Sequence, residues 1–393
     1  MFDFNPHSHE LHEDPYPVYR EMRERYPIFH SERHGFWAVA RHADVSEALL
    51  QPHVFSSVRS LAEGAPSDPS VNLPMMILMD PPGHDDLRAL VNRGFTPRRI
   101  AQLETRIRAI ATDLIDAFIE RGRCDLWADL AAPLPTTVIA ELLGVPAEDH
   151  QMFKETSTAM VAAAGPVTGG AGGYEGASAA RELAVYLAGA FEAKRRRPGD
   201  DLMSALLSAE LEGRKLTPGE LVGFAVLLLV AGNETTTNLI CNAAVNLDRH
   251  PQELARLVAD PSLVPVAVEE FLRFDPPVQG LERFMAEDVV FLGEKLRRGE
   301  RVYLMIASAN RDERVIPEPD RFDVARTPNR HLSFGFGTHF CLGASLARLE
   351  ARVVWEEILA RFPEFRVAGP LKRLHSGVIR GLLQVPLEFE VAA

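Results

Sequence analysis

Apolar residues recur at helical spacing over 100–121, 134–143, 147–163 and 178–197, a pattern that predicts a succession of long helices. Shorter helical patterns cover 14–26 and 43–51. Ile28-Phe29-His30 and Phe36-Trp37-Ala38-Val39, separated by a turn-rich segment ending in Gly35, predict a hairpin. Further strand character falls over 284–303 and 371–390, so the β part (27–40, 284–303 and 371–390) is small beside a mainly α chain. No repeat and no shift in composition divides the sequence, and 1–393 is expected to form a single domain.

The most apolar pattern begins at Thr217-Pro218-Gly219-Glu220, which has an N-cap, a proline at the first helical position and an acid at the third. A helix over 217–248 follows. Its apolar run stops abruptly at Ala231-Gly232-Asn233-Glu234-Thr235-Thr236-Thr237. Polar groups in a buried segment are costly without partners or function. A glycine followed by hydroxyls that can bond back to a carbonyl predicts a kink at 232–235, and a helix that surfaces there is the alternative.

A second irregular stretch is Phe334-Gly335-Phe336-Gly337-Thr338-His339-Phe340-Cys341-Leu342-Gly343. Its glycines allow a sharp turn and close approach to a flat ligand. Helical residues 344–352 follow, so the Cys341 sulfur is expected near a helix N-terminus, where backbone N–H groups favour a thiolate. Elsewhere, a Pro-Pro-Gly turn precedes His84 and Arg88, four apart on one helical face, and Glu270 and Arg273 stand one turn apart.

Composition narrows the function classes. The net charge of −13 argues against a general nucleic-acid binder. The three cysteines, Cys124, Cys241 and Cys341, are too scattered for a disulfide framework or a zinc spacing and suit a reducing cytoplasm. The N-terminal residues have neither the basic nor the apolar region of a signal peptide, and the apolar run 221–232 is shorter than the roughly 20 residues of a spanning helix, so no membrane anchor is expected.

Phe334, Gly337, His339, Cys341 and Gly343 form the pattern Phe-x-x-Gly-x-His-x-Cys-x-Gly, which resembles the cysteine loop of the cytochrome P450 family. Ala231, Gly232, Glu234 and Thr235 match that family's oxygen-binding motif, and the resemblance covers nearly the whole chain. It implies a soluble, bacterial-type P450 fold and a haem b whose iron takes Cys341 as axial thiolate, in a cradle including Phe334, Gly343 and Ala231. His84, Arg88, Arg283 and His339 are implied as donors to the haem propionates. Glu270, Arg273 and Arg321 are implied as a structural triad. Thr235 and Glu234 are implied to order water and relay protons before O–O cleavage, an acid–base role suited to a carboxylate.

The resemblance also implies a monooxygenase that inserts one atom of O2 into a lipophilic small molecule. Leu227, Val230, Ala231, Val278, Gln279, Gly280, Leu281 and Ile379 would line its pocket, Gln279 as a polar anchor and Gly280 leaving room beside the haem. The sequence shows no flavin or iron–sulfur motif, so electrons are expected from NAD(P)H through a separate ferredoxin and ferredoxin reductase. Arg93, Arg98, Arg99, Arg106, Arg108, Arg348 and Arg352 are candidates for a basic docking patch. A cytoplasmic monomer is expected. A peroxide-driven enzyme and a non-catalytic haem-thiolate sensor are the rival readings, and neither needs the Glu234–Thr235 pair. The glycine-rich stretch 165–176 is expected to act as a mobile lid.

Overall fold

The computed structural model describes residues 2–58, 73–153, 155–156 and 172–391. The extension of the 147–163 helix past 156 and the stretch 165–171 of the expected lid lie outside them. The rest of that glycine-rich segment does not behave as a loop, because Gly172 opens the 25-residue helix Gly172–Arg196.

The organising element is the 32-residue helix Pro218–Arg249. Its start is fixed by the capping box: Glu220 N–H donates to Thr217 Oγ1 at 3.2 Å, and Thr217 N–H donates to the Glu220 carboxylate at 2.8 Å. The helix is long and apolar enough to cross a membrane, yet 72% of its most apolar window is buried inside the protein. It is the spine of the main hydrophobic core, shared with helices Pro133–Leu143, Val264–Phe274 and Ala344–Arg361.

The β structure lies beside this helical body. A five-stranded sheet runs in the order Ile28–Ser31, Phe36–Val39, Arg301–Leu304, Leu281–Met285, Phe55–Ser56. The first two strands are the antiparallel hairpin, with Ile28 opposite Val39. Arg301–Leu304 joins in parallel to Phe36–Val39 and antiparallel to Leu281–Met285, with Val302 opposite Arg283. A smaller sheet combines Glu364–Val367, Pro386–Glu390 and Arg123–Asp125.

One buried carboxylate fixes the irregular chain that leads to the cysteine loop. Glu270 is fully buried and takes both Nε and Nη2 of Arg273 at 2.7 Å. It also accepts from Asp323 N–H at 3.0 Å and Asn329 Nδ2 at 3.1 Å. The second arginine on it is Arg326, at 3.2 Å, and not Arg321. The Arg321 side chain is 56% exposed and reaches Glu318 and Asp323 instead, while its backbone carbonyl accepts from both Arg273 and Arg326. Two arginines five residues apart compete for one carboxylate. The turn at 318–323 directs the first to solvent and uses only its backbone.

Arg326→Ala is therefore expected to cost about 1–3 kcal/mol, because it strips a donor from a buried charge. Arg321→Ala is expected to stay within about 0.5 kcal/mol of the parent, as an exposed site. Denaturant midpoints of the two variants check the assignment, and the reverse ranking would restore Arg321.

Candidate active site

The cysteine turn is built by its glycines. Gly335 and Gly337 both have φ +70°, a conformation open to glycine, and a Cβ on Gly337 would stand 3.1 Å from the Leu49 carbonyl oxygen. Cys341 N–H closes the turn on the Phe334 carbonyl at 2.8 Å. Gly343 has ordinary φ, and a Cβ there would be 3.9 Å from the Cys341 sulfur. Helix Ala344–Arg361 starts immediately after. Burial pushes the Cys341 thiol up, while the Gly343 and Ala344 N–H groups and the Arg88 and Arg348 charges pull it down without overcoming that effect. The turn fixes the sulfur, and a coordinated cation would complete its ionisation.

Beside this turn lies an excess of positive and donor groups. The His84 and His339 rings are 4.2 Å apart. Arg88 donates to the carbonyls of Thr338 at 3.0 Å and Phe340 at 2.6 Å, which ties the helix Gly83–Gly94 to the cysteine turn. Arg283 is buried, its hydrogen bond among the described residues goes to the neighbouring Glu282 carbonyl, and burial pulls its guanidinium down to about 10 against the attraction of Asp80. Burial, then Arg283, His84 and Arg88, push His339 down to about 3, so it is a neutral ring here. His84 Nδ1 lies 2.9 Å from the Asp85 carboxylate, and its Nε2 is buried with no partner among the described residues. Crowded guanidinium groups beside an unpartnered imidazole nitrogen fit an anionic cofactor edge such as two propionates. On this test the residues fit haem.

The polar insertion resolves into named contacts, and the helix stays unbroken through 232–235. Gly232 also serves packing: a Cβ there would meet Ile139 Cδ1 at 2.7 Å. Thr235 Oγ1 donates to the Ala231 carbonyl at 2.6 Å. Thr237 Oγ1 donates to the Ala131 carbonyl at 3.0 Å. Glu234 is buried and accepts from Asn238 Nδ2 at 3.1 Å. Burial raises its carboxyl, opposed by that hydrogen bond. Asn238 Oδ1 accepts from Leu382 N–H at 3.1 Å, linking the acid to strand Leu382–Gln384. Leu227, Ala231 and Thr235, spaced by four, remain partly open in this otherwise buried helix.

Of the other expected pocket residues, Val230, Val278, Leu281 and Ile379 are half-buried, and Val278 pairs with Ile379 in an isolated bridge. Two expectations are corrected. The Gln279 amide is used internally: Nε2 donates to the Pro276 carbonyl at 2.8 Å and Oε1 accepts from Tyr19 at 3.2 Å, so it is no free anchor. Gly280 makes room for a side chain of the protein itself, since a Cβ there would meet the Tyr303 ring at 2.3 Å.

Sequence reasoning missed Glu350, which is fully buried on the helix after the cysteine. Burial pushes its carboxyl up to about 8 against a hydrogen bond from Thr236, and its Oε1 has no partner. An acid on an apolar helical face is its only sequence signal. The basic patch also changes. Arg108 pairs with Glu104, Glu356 and Glu357, Arg352 with Glu104 and Glu356, Arg106 with Glu141, Arg99 with Asp200 and Arg348 with Glu269. Arg93 and Arg98 are left exposed without an ion pair among the described residues.

The protein-family model for cytochrome P450 matches residues 181–390. A vitamin D(3) 25-hydroxylase of Pseudonocardia autotrophica is 43% identical over 384 residues, covering 95% of this chain and 94% of the relative. The structure of CYP109Q5 from Chondromyces apiculatus superposes with TM-score 0.91 at 41% identity and covers 99% of each chain. CYP109E1 from Bacillus megaterium, solved in complex with testosterone, gives TM-score 0.86 at 38% identity over 95% of this chain and 99% of that one.

The reduced protein with CO is expected to show the red-shifted band of thiolate ligation, and Cys341→Ser to lose it. Arg283→Ala is expected to retain the band while releasing haem faster to an apo-globin acceptor. An unshifted band in the parent protein would remove Cys341 from the iron.

Proposed function

This chain belongs to the cytochrome P450 family and is a haem b monooxygenase, and on that premise we propose that it hydroxylates a steroid-sized lipophilic molecule. When bound, the haem supplies oxygen activation at a thiolate-ligated iron. Cys341 would hold the iron. His84, Arg88, Arg283 and His339 would hold the propionates.

The observation that carries the reading is the state of Thr235 and Glu234. Thr235 keeps its hydroxyl on the Ala231 carbonyl and remains partly open, while the adjacent Glu234 is buried with a raised carboxyl. A carboxyl raised toward neutrality can carry a proton inward and be recharged from solvent. Thr235 would orient the water that receives it. Asn238 holds Glu234 in place at 3.1 Å and limits how far it swings.

The substrate class rests on apolar surface. Leu227, Val230, Val278, Leu281 and Ile379 are half-buried and offer no charge, which suits a lipophilic molecule held mainly by burial of apolar area. With Gln279 occupied, no polar anchor is assigned. The named hydroxylase relative and the testosterone-bound neighbour support a steroid or secosteroid scaffold. Electrons would come from NAD(P)H through a ferredoxin and its reductase. Arg93 and Arg98 are the arginines left to steer that partner toward a monomeric, cytoplasmic enzyme.

Thr235→Ala is expected to consume NAD(P)H at near-parent rate with surrogate redox partners while converting most of it to hydrogen peroxide rather than product. Full coupling in that variant would remove Thr235 from proton delivery. Testosterone and vitamin D3 are expected to produce the low-to-high-spin absorbance change, and its absence with both would remove the steroid class.

A further inference from the structure

The N-terminal histidines have no assigned part in oxygen chemistry, yet two of them, His9 and His12, meet a histidine some 360 residues away in sequence. Helix His9–Glu13 lies against the segment 373–381. His12 Nδ1 is 3.2 Å from His375 Nδ1. The His9 ring centroid is 4.1 Å from that of His375 and 6.3 Å from that of His12. His7 packs on Gly377, where a Cβ would come within 2.5 Å of the His7 ring. The same segment carries Ile379, bridged to Val278.

We propose that His12 and His375 are positioning residues whose ring-to-ring contact clasps the N-terminal helix onto residues 373–381, and that the clasp opens when both rings take up a proton. The consequence for substrate rests on the reading that Ile379 borders the substrate pocket.

Hydrogen-bond bookkeeping carries the argument. His12 Nε2 lies 2.8 Å from the Pro6 carbonyl, which only accepts, so Nε2 carries the hydrogen and the neutral ring presents a lone pair at Nδ1. His375 Nδ1 must then donate. A single shared proton can still bridge the two facing nitrogens. With both rings protonated, an N–H on His12 Nδ1 meets the N–H of His375 Nδ1 head-on, and the contact is lost.

The surroundings set the sign. Arg380 donates to the carbonyls of His12 and Glu13 while its Nε holds Asp275 at 2.7 Å. Arg373 holds Glu13 at 3.2 Å. Glu10 and Glu13 on the short helix and Asp275 behind it favour protonation. Arg373, Arg380 and His9 oppose it, and His7 is itself flanked by His34 and Arg301. Burial lowers the His12 ring, and His375, His9 and His7 lower it further, against the hydrogen bond at Pro6. A lowered imidazole favours the closed form above the ordinary histidine range, so the clasp weakens as pH falls below about 6.5.

Loosening reaches the pocket through the turn 374–378, since 377–381 is anchored from outside by Tyr303 Oη on the Gly377 carbonyl at 2.6 Å and by Asn242 Nδ2 on the Arg380 carbonyl at 3.1 Å. Val378 O accepts from Gln279 N–H at 2.8 Å, Arg380 N–H donates to the Pro277 carbonyl at 2.7 Å, and Leu374 N–H donates to the Gly381 carbonyl at 3.1 Å.

Amide hydrogen exchange of 373–381 in the haem-loaded protein tests the clasp. After correction for intrinsic rates, exchange is expected to rise about fivefold or more between about pH 7.5 and pH 5.5. His375→Ala should exchange fast at both pH values. His375→Gln should stay slow and pH-flat, because an amide can flip to donate or accept. A pH-flat parent, or a His375→Ala variant that matches the parent, overturns the proposal. In parallel, testosterone affinity read from the spin-state change should weaken at low pH in the parent and not in His375→Gln, with the CO band unchanged. If testosterone gives no change at any pH, the substrate reading fails while the exchange experiment still decides the clasp.

Discussion

Everything near the cysteine depends on one carboxylate buried where no water can reach it. Glu270 is held by Arg273, Arg326, Asn329 and the Asp323 amide, and Arg273 continues to the carbonyls of Asn310, Pro319 and Arg321. A buried charge is tolerable only when paired and hydrogen-bonded throughout, so the network forces the irregular chain between 310 and 329 into one path. That path ends at Leu332 and Ser333, which Asn310 ties down at 2.7 and 2.8 Å, directly before the turn that carries Cys341. The position of the sulfur is thus decided some distance from the chemistry.

The same reasoning inverts at the haem edge. There, Arg283 and Arg88 bond only to backbone carbonyls among the described residues, and His84 reaches one exposed carboxylate, Asp85, at 2.9 Å. Arg283 is left with a guanidinium lowered by burial and His84 with an unpartnered nitrogen. One network is closed on itself and serves stability. The other is open and serves binding of an anion. On the helix above, Glu234 is intermediate: it has one hydrogen bond where Glu270 has several, and its carboxyl is raised. The proton-carrying role proposed for it requires that incomplete satisfaction.

Much of the site was legible in the sequence because it is local. The Thr217–Glu220 cap, the glycines on either side of His339 and the Glu234–Thr235 pair are defined by neighbours within a few residues, and short-range geometry leaves little choice. The misassignments are equally instructive. Arg321 and Arg326 have the same chemistry five residues apart, and only the fold of 318–323 selects one. Gln279 and Gly280 stand where pocket residues were expected but answer to Tyr19 and Tyr303, which come from distant parts of the chain. Most of the arginines proposed for docking are neutralised by glutamates and an aspartate on other elements.

By itself the sequence determined the elements and the chemical types available at each turn: a cysteine at a helix start, an acid–alcohol pair in an apolar helix, a mainly helical body with small sheets. These follow from backbone preference and periodicity, which act over one or two turns. Tertiary structure alone decided which charges are satisfied and which stay open, that Gly232 packs on Ile139, and that His12 meets His375. Such outcomes depend on the competition among partners brought together from far along the chain, and on burial, which raises or lowers every charge by an amount no local pattern encodes.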